Sequence, residues 1–278
     1  MADKITVGNV EIVAVLDMIP PAREPDRFFP DVPLDSWTPY KDILENDMLQ
    51  LYYGCFFIRS QGKTILVDTG MGPGPHPDRG NRTGDLLNQL RKEGVSPEDV
   101  DIVIHTHLHG DHVGWNLDIS GEKPTPNFPK ARYLVPRDDW EHFTKPEVLD
   151  SAPQVKNYVI PLQELGLMEL VDSEHIVTDG ITTLASPGHT PGHQVILISS
   201  QGEKAMIVGD LLHSKVQVQE PSWCAGVDTD KAQSHRSRES ILQRAESEGY
   251  VVAAGHFHPN DHIGKIVRFE GRRYWQAL

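Results

Sequence analysis

Apolar residues along this chain come in short runs, most of them stopped by a glycine, a proline or an aspartate. "VEIVAVLD", "LYYGCFFIRS", "KTILVD", "VDIVIHT" and "ARYLVP" occupy the first half, and "ITTLASP", "QVILISS", "KAMIVGD", "YVVAAGH" and "IGKIVRFEG" the second. Runs of this length and continuity predict strands buried on both faces. Helical spacing falls between them. "TGDLLNQLRKEG" sets Leu86, Leu87 and Leu90 on one stripe and ends at Gly94, "PRDDWEHF" starts behind a proline, and "DKAQSHRSRESILQRAESEG" is longer. Strands alternating with helices predict a layered α/β domain, taken as one unit over residues 1–278.

Residues 20–39, "PPAREPDRFFPDVPLDSWTP", break the rhythm with six prolines and three bulky aromatics. Proline blocks regular pairing, so the stretch from about 20 to 50 is expected to be an irregular excursion. It is either a loop packed against the domain or a second subunit, or a wall over a pocket.

Composition narrows the function classes. The chain has 278 residues, 38% of them hydrophobic, and no apolar run near the ~18 residues of a membrane span. A formal net charge of −14 argues against a nucleic-acid groove, which needs lysine and arginine. The first residues lack the basic start and small-residue cleavage site of a secretory signal. Cys55 and Cys224 form no CxxC-like pair, so neither a disulfide framework nor a cysteine zinc site is expected, and a reducing, cytoplasmic setting fits.

Chemistry concentrates at "HTHLHGDH", residues 105–112, where four histidines and an aspartate follow the end of a predicted strand. The carboxyl end of a buried strand is where α/β sheets place ligands. Gly110 permits a sharp turn, letting His107 and His109 face one point and Asp111 and His112 another. Neutral imidazole with carboxylate is a donor set for zinc, iron or manganese. Later strand ends deliver more: His189 in "SPGHTPGH", Asp210 after "KAMIVGD" and His256 after "YVVAAGH".

These motifs, HxHxDH at 107–112, "PGHTPGH", "GD" at 209–210 and a late "GH", together with "LVDTG" at 66–70, resemble the metallo-β-lactamase-fold hydrolases in type and order. The resemblance covers nearly the whole chain. It implies a four-layered αββα sandwich holding two divalent metal ions, most simply zinc, with iron, manganese or cobalt as alternatives. It implies one ion on His107, His109 and His189, the other on Asp111, His112 and His256, and Asp210 between them. The activity implied is hydrolysis of a small ester or lactone by a metal-bridging hydroxide, with Asp111 handling a proton.

Departures from the family pattern select a branch. Cys224 lies fourteen residues beyond Asp210, not at the cysteine ligand of the antibiotic-hydrolysing members. Acyl-homoserine lactonases carry a tyrosine three residues after the bridging aspartate, where this chain has His213, a candidate to hydrogen-bond substrate. "GDLLHSKVQVQ" and "GHFHPNDHIGKIVR" are similar to the methyl parathion hydrolase branch, which sits among lactonases and aryl esterases. Phosphotriester hydrolysis is therefore an alternative. From other classes, the alternatives are an iron-dependent redox enzyme and a non-catalytic metal-binding protein. The partner expected is a small molecule, not nucleic acid or membrane, and the family admits a homodimer.

Supporting roles are expected for several further residues. Asp68 is read as a buried acceptor ordering the loops, His193 as a donor behind them and His105 as packing. His258 is placed at the pocket mouth. Trp115, Phe28, Phe29, Trp37 and Trp223 are candidates for an apolar wall. His76, His142, His175 and His235 are expected at the surface.

Overall fold

Ile65 and Val67 point to one side of their strand and Leu66 to the other, and all three are buried. The same holds for Ile102, Val103 and Ile104. A strand that is apolar on both faces must be covered on both faces. The computed structural model, which describes residues 4–278, meets that requirement with two facing sheets.

The first sheet contains β1 (Lys4–Val7), β2 (Val10–Met18), β3 (Tyr53–Ser60), β4 (Lys63–Val67) and β5 (Ile102–Ile104). After a small hairpin of β6 (Leu117–Asp118) and β7 (Thr125–Pro126), it continues with β8 (Arg132–Pro136) and β9 (Met168–Val171). Its order is β1-β2-β3-β4-β5-β8-β9, with parallel pairing from β4 onward. The second sheet runs in chain order through β10 (Ile176–Thr178), β11 (Ile181–Ala185), β12 (Gln194–Ser200), β13 (Glu203–Ile207), β14 (Val251–Ala253), β15 (Ile263–Phe269) and β16 (Arg272–Ala277).

Ile12, Phe56, Ile58, Ile65, Val67 and Ile104 from the first sheet meet Ile181, Ile196, Ile198 and Ile207 from the second in one apolar layer. Helices cover the outer faces. Leu86 and Leu90 of the helix Leu86–Lys92 pack on Phe57, Leu66 and Val103. Ile241, Leu242 and Ala245 of the long helix Lys231–Glu248 pack on Val195, Met206 and Val252. The Asp230 carboxylate caps the long helix by accepting from Gln233 N at 2.9 Å, and Gly249 ends it in the left-handed conformation. The αββα sandwich is therefore the architecture.

Two regions differ from the sequence expectation. Residues 146–164 form three short helices, Pro146–Leu149, Pro153–Tyr158 and Ile160–Glu164, each with a proline in its first turn. Single turns are too short to print a 3.6-residue period. β16 went unread because "RRYWQA" is polar and half-exposed, yet Glu270 and Gly271, both at positive φ, turn the chain back along β15. The proline-rich excursion holds one helical turn, Pro25–Phe28, followed by 3-10 turns over Leu34–Ile43. Phe29, Trp37, Leu49 and Leu51 anchor it on Val216 and Ala225. Among the described residues, no helix is long and apolar enough to cross a membrane.

Candidate metal centre

Each candidate ligand hangs from the end of a buried strand. His107 follows β5. Immediately after it, His109 caps the one-turn helix Gly110–Val113, which carries Asp111 and His112. His189 sits in the turn between β11 and β12, Asp210 follows β13 in a 3-10 turn, and His256 follows β14. The segment 107–112 thus comes from one sheet, and the other three residues come from its partner.

The carboxylate of Asp210 is the meeting point, and its two oxygens serve different sets. Oδ2 lies 3.0 Å from His189 Nε2 and 3.6 Å from His107 Nε2, while His109 Nδ1 is 2.9 Å from His189 Nε2. Oδ1 lies 2.9 Å from His256 Nε2 and 3.0 Å from His112 Nε2, with Asp111 Oδ1 3.8 Å from that nitrogen. Within each of the groups His107–His109–His189–Asp210 and Asp111–His112–His256, the candidate donor atoms lie within 4.8 Å of one another. The expected gathering of seven residues is what the fold produces.

For four of the five imidazoles the far nitrogen explains why the near one faces inward. His107 Nδ1 is 3.0 Å from Thr106 Oγ1, and His112 Nδ1 donates to Asp68 Oδ2 at 2.8 Å. His189 Nδ1 donates to Asp228 Oδ1 at 2.8 Å, and His256 Nδ1 to the Tyr52 carbonyl at 2.8 Å. With Nδ1 committed to these partners, Nε2 is the nitrogen left to face a metal. His107 Nε2 and His112 Nε2 are buried and make no hydrogen bond despite the nearby carboxylate. Buried polar atoms left without partners are rare, and here they converge on one point. A divalent cation is the group this donor set fits.

Charge follows geometry. Burial pushes His109 down to about 3, and it likewise lowers His107, so both imidazoles are neutral. Burial also works against a charged His189, but Asp210 and Asp228 outweigh it and hold its proton up to about 9. For Asp68, burial is overcome by His112 and His105, which keep the carboxylate ionised.

Asp68 has the supporting role expected of it: its oxygens accept from Thr106 N at 2.8 Å and Thr106 Oγ1 at 2.7 Å besides His112. His105 is wholly buried and packs on Tyr133. His193 donates from Nδ1 to the Ser186 carbonyl at 3.1 Å, as expected of a buttress, and its Nε2 accepts from Asp210 N at 3.1 Å, which fixes the backbone of the central carboxylate. His213 lines the cavity, but its Nε2 turns to Asp210 Oδ2 at 3.2 Å and its ring stacks on His256. His258 lies away from the main cavity, against the Tyr52 ring in a smaller cleft behind His213 and His256. His142, His175 and His235 are half-buried rather than exposed, and His76 reaches the cavity rim, its Nε2 donating to the Gly72 carbonyl at 3.1 Å.

The cavity over Asp111, Asp210 and His256 has a volume of about 500 Å³. Of the expected aromatics only Phe28 lines it. Phe29, Trp37 and Trp223 stack behind Phe28 as its support, and Trp115 points elsewhere, donating to Asp17 Oδ1 at 2.8 Å. Several supporting residues escaped the sequence reading. Asp228 holds His189, and the fully buried Arg238 stands 3.5 Å behind it. Asp139 accepts from Leu108 N at 3.0 Å and Gly192 N at 2.6 Å, tying the two histidine loops together. Single polar residues in loops carry no periodic signal.

Known proteins agree with this construction. Residues 53–256 match the family model for the metallo-β-lactamase superfamily. An N-acyl homoserine lactonase from a Bacillus species is 25% identical over 239 residues, spanning 80% of this chain and 88% of the relative. The crystal structure of AbOPH, a hydrolase in the β-lactamase superfamily, superposes with a TM-score of 0.85 at 24% identity, covering 100% of this chain and 97% of the other. AidC, a dizinc quorum-quenching lactonase seen with its product N-hexanoyl-L-homoserine, gives 0.83 at 23% identity, with the same coverage. The fold and donor set are those of a metal-dependent hydrolase. This chain belongs to the metallo-β-lactamase superfamily.

Proposed function

We propose that this chain hydrolyses small lactones and related esters with two divalent ions. His107, His109 and His189 would hold one ion, Asp111, His112 and His256 the other, and Asp210 both. The observation that carries the reading is the split carboxylate of Asp210, one oxygen to each histidine set, with Nε2 atoms aimed between them. Zinc suits a nitrogen-rich donor set, and the AidC neighbour is a dizinc lactonase. When bound, such a pair supplies an electrophile for the carbonyl oxygen and a water acidic enough to act as nucleophile near neutral pH.

The protein's own groups do the rest. Asp111 faces the cavity beside His112 and is the proton carrier between attacking water and departing oxygen. Its burial is outweighed by His112, so it stays ionised and able to accept. His213 serves through Asp210, holding Oδ2 in place. Phe28, Leu51, Met71 and Val227 offer an apolar wall to an acyl chain, and the Bacillus relative is by name an N-acyl homoserine lactonase.

The test is metal analysis coupled to turnover. Purified protein is expected to hold about two transition-metal ions per chain. Chelation should abolish hydrolysis of an N-acyl homoserine lactone and of p-nitrophenyl acetate, and added zinc should restore it. One ion per chain, or full activity without metal, refutes the reading.

A further inference from the structure

Tyr53 stands at the start of β3 with its ring edge-on to His256, centroids 5.7 Å apart. It is 4% exposed and lines the cavity. Its hydroxyl oxygen accepts a hydrogen bond from Arg79 Nε at 2.9 Å, and Arg79 is anchored in turn on Asp78 at 2.6 Å. Among the described residues, the phenolic hydrogen donates to no protein group, although a phenol offers both a donor and an acceptor. A buried O–H left without an acceptor and facing a cavity is a donor held for something else.

We infer that Tyr53, polarised by Arg79, donates its O–H hydrogen bond to the substrate oxygen that leaves as the scissile bond breaks. This inference rests on the hydrolase reading and assigns the leaving-group side of that same site. Position decides which oxygen is served. Tyr53 faces His256 edge-on, and Asp111 lines the same cavity. Asp111 is the proton carrier in the proposed reaction, so a donor sharing its cavity meets the departing oxygen. A phenol ordinarily titrates near pH ~10, so at neutral pH its O–H is available to donate. A charged donor on the phenol oxygen strengthens the O–H as a donor in turn. His213 cannot fill the role with Nε2, which is turned to Asp210.

The experiment uses the metal-loaded enzyme and two substrates sharing an acyl group: a p-nitrophenyl ester, whose leaving group needs no help, and an alkyl lactone, whose alkoxide does. Tyr53→Phe should keep its metal content and melting temperature while kcat on the lactone falls at least about thirtyfold, with KM near its original value. On the p-nitrophenyl ester kcat should fall less than about threefold. Arg79→Gln, which removes the polarising charge, should lower the lactone rate by about tenfold with the same selectivity. Equal losses on both substrates, or no loss on the lactone, overturn this inference while leaving the hydrolase reading intact. A metal-loaded wild-type chain that hydrolyses neither substrate overturns both.

Discussion

Asp228 Oδ1 accepts a hydrogen bond from His189 Nδ1 at 2.8 Å, and Asp228 Oδ2 accepts from Ser234 Oγ at 2.9 Å, inside a fully buried pocket backed by Arg238. The carboxylate therefore sets which nitrogen of His189 faces Asp210. Arg238, whose Nε donates to the Leu211 carbonyl at 2.7 Å, carries the same support to the loop after Asp210. Replacing a partner behind a histidine ligand typically weakens metal binding about 10–100-fold. Asp228→Asn should therefore weaken binding of the ion held by His189 by that factor, as measured by chelator competition. It should also destabilise the fold, because Arg238 then keeps a buried charge without its counter-charge. Unchanged affinity would mean that His189 is held by its loop alone.

How much of this was legible beforehand depends on where each residue sits. The seven candidate ligands hang from strand ends, where an apolar run stops and chemistry begins, so position along the chain marked them. Asp228 and Arg238 could not be marked this way. Arg238 lies within a mostly polar helix and looks like one of its solvated charges, and only packing reveals that it is wholly buried. Tyr53 was hidden within "LYYGCFFIRS", where a tyrosine reads as strand filler. The aromatic excursion was legible as irregular, but which of its rings faces the cavity depends on the turn at 25–28. Phe28 and Phe29 are neighbours in sequence with different tasks.

Metal uptake should be coupled to proton release. In the metal-free chain His189 holds its proton up to about 9, because Asp210 and Asp228 outweigh the burial that opposes it. A metal needs that nitrogen free, so binding near pH 7 displaces a proton. Although burial opposes it, Asp210 also raises His112 and His256, so affinity should rise with pH from neutrality to at least about 9. His109 and His107, already neutral through burial, contribute no proton. Titration calorimetry in buffers of different ionisation enthalpy measures the number released. An equal release at pH 7 and pH 10 would contradict the charge state assigned to His189.

Gly188 sits immediately before His189 at φ 129°, and a Cβ there would fall 2.1 Å from Ser234 N, at the first turn of the long helix. Backbone cannot yield as a side-chain tip can. Gly188→Ala should cost about 3 kcal/mol, a fall in melting temperature on the order of 10 °C, and should lower metal content as the His189 loop moves off that helix. Gly166 provides the contrast. It has φ 69°, and a Cβ added to it would meet nothing within 4 Å. Gly166→Ala should therefore cost only the conformational term of about 1–2 kcal/mol and keep its metal. Comparable losses for the two variants would remove the steric argument.

Phe28 meets His213 edge-on at 5.1 Å and Phe29 at 5.0 Å, making it the ring through which the excursion touches the site. If that surface receives an acyl chain, Phe28→Ala should raise KM for a long-chain N-acyl lactone about tenfold, following the apolar area it no longer covers. A short-chain lactone, reaching less of the wall, should be affected by less than about threefold. Trp37 separates wall from support: it stacks on Phe29 and Trp223 and lines no part of the main cavity. Trp37→Ala should therefore cost about 3–5 kcal/mol of stability without changing the ratio of long-chain to short-chain KM. A chain-length preference that survives Phe28→Ala would move acyl recognition to other residues lining the cavity, such as Met71 and Tyr158.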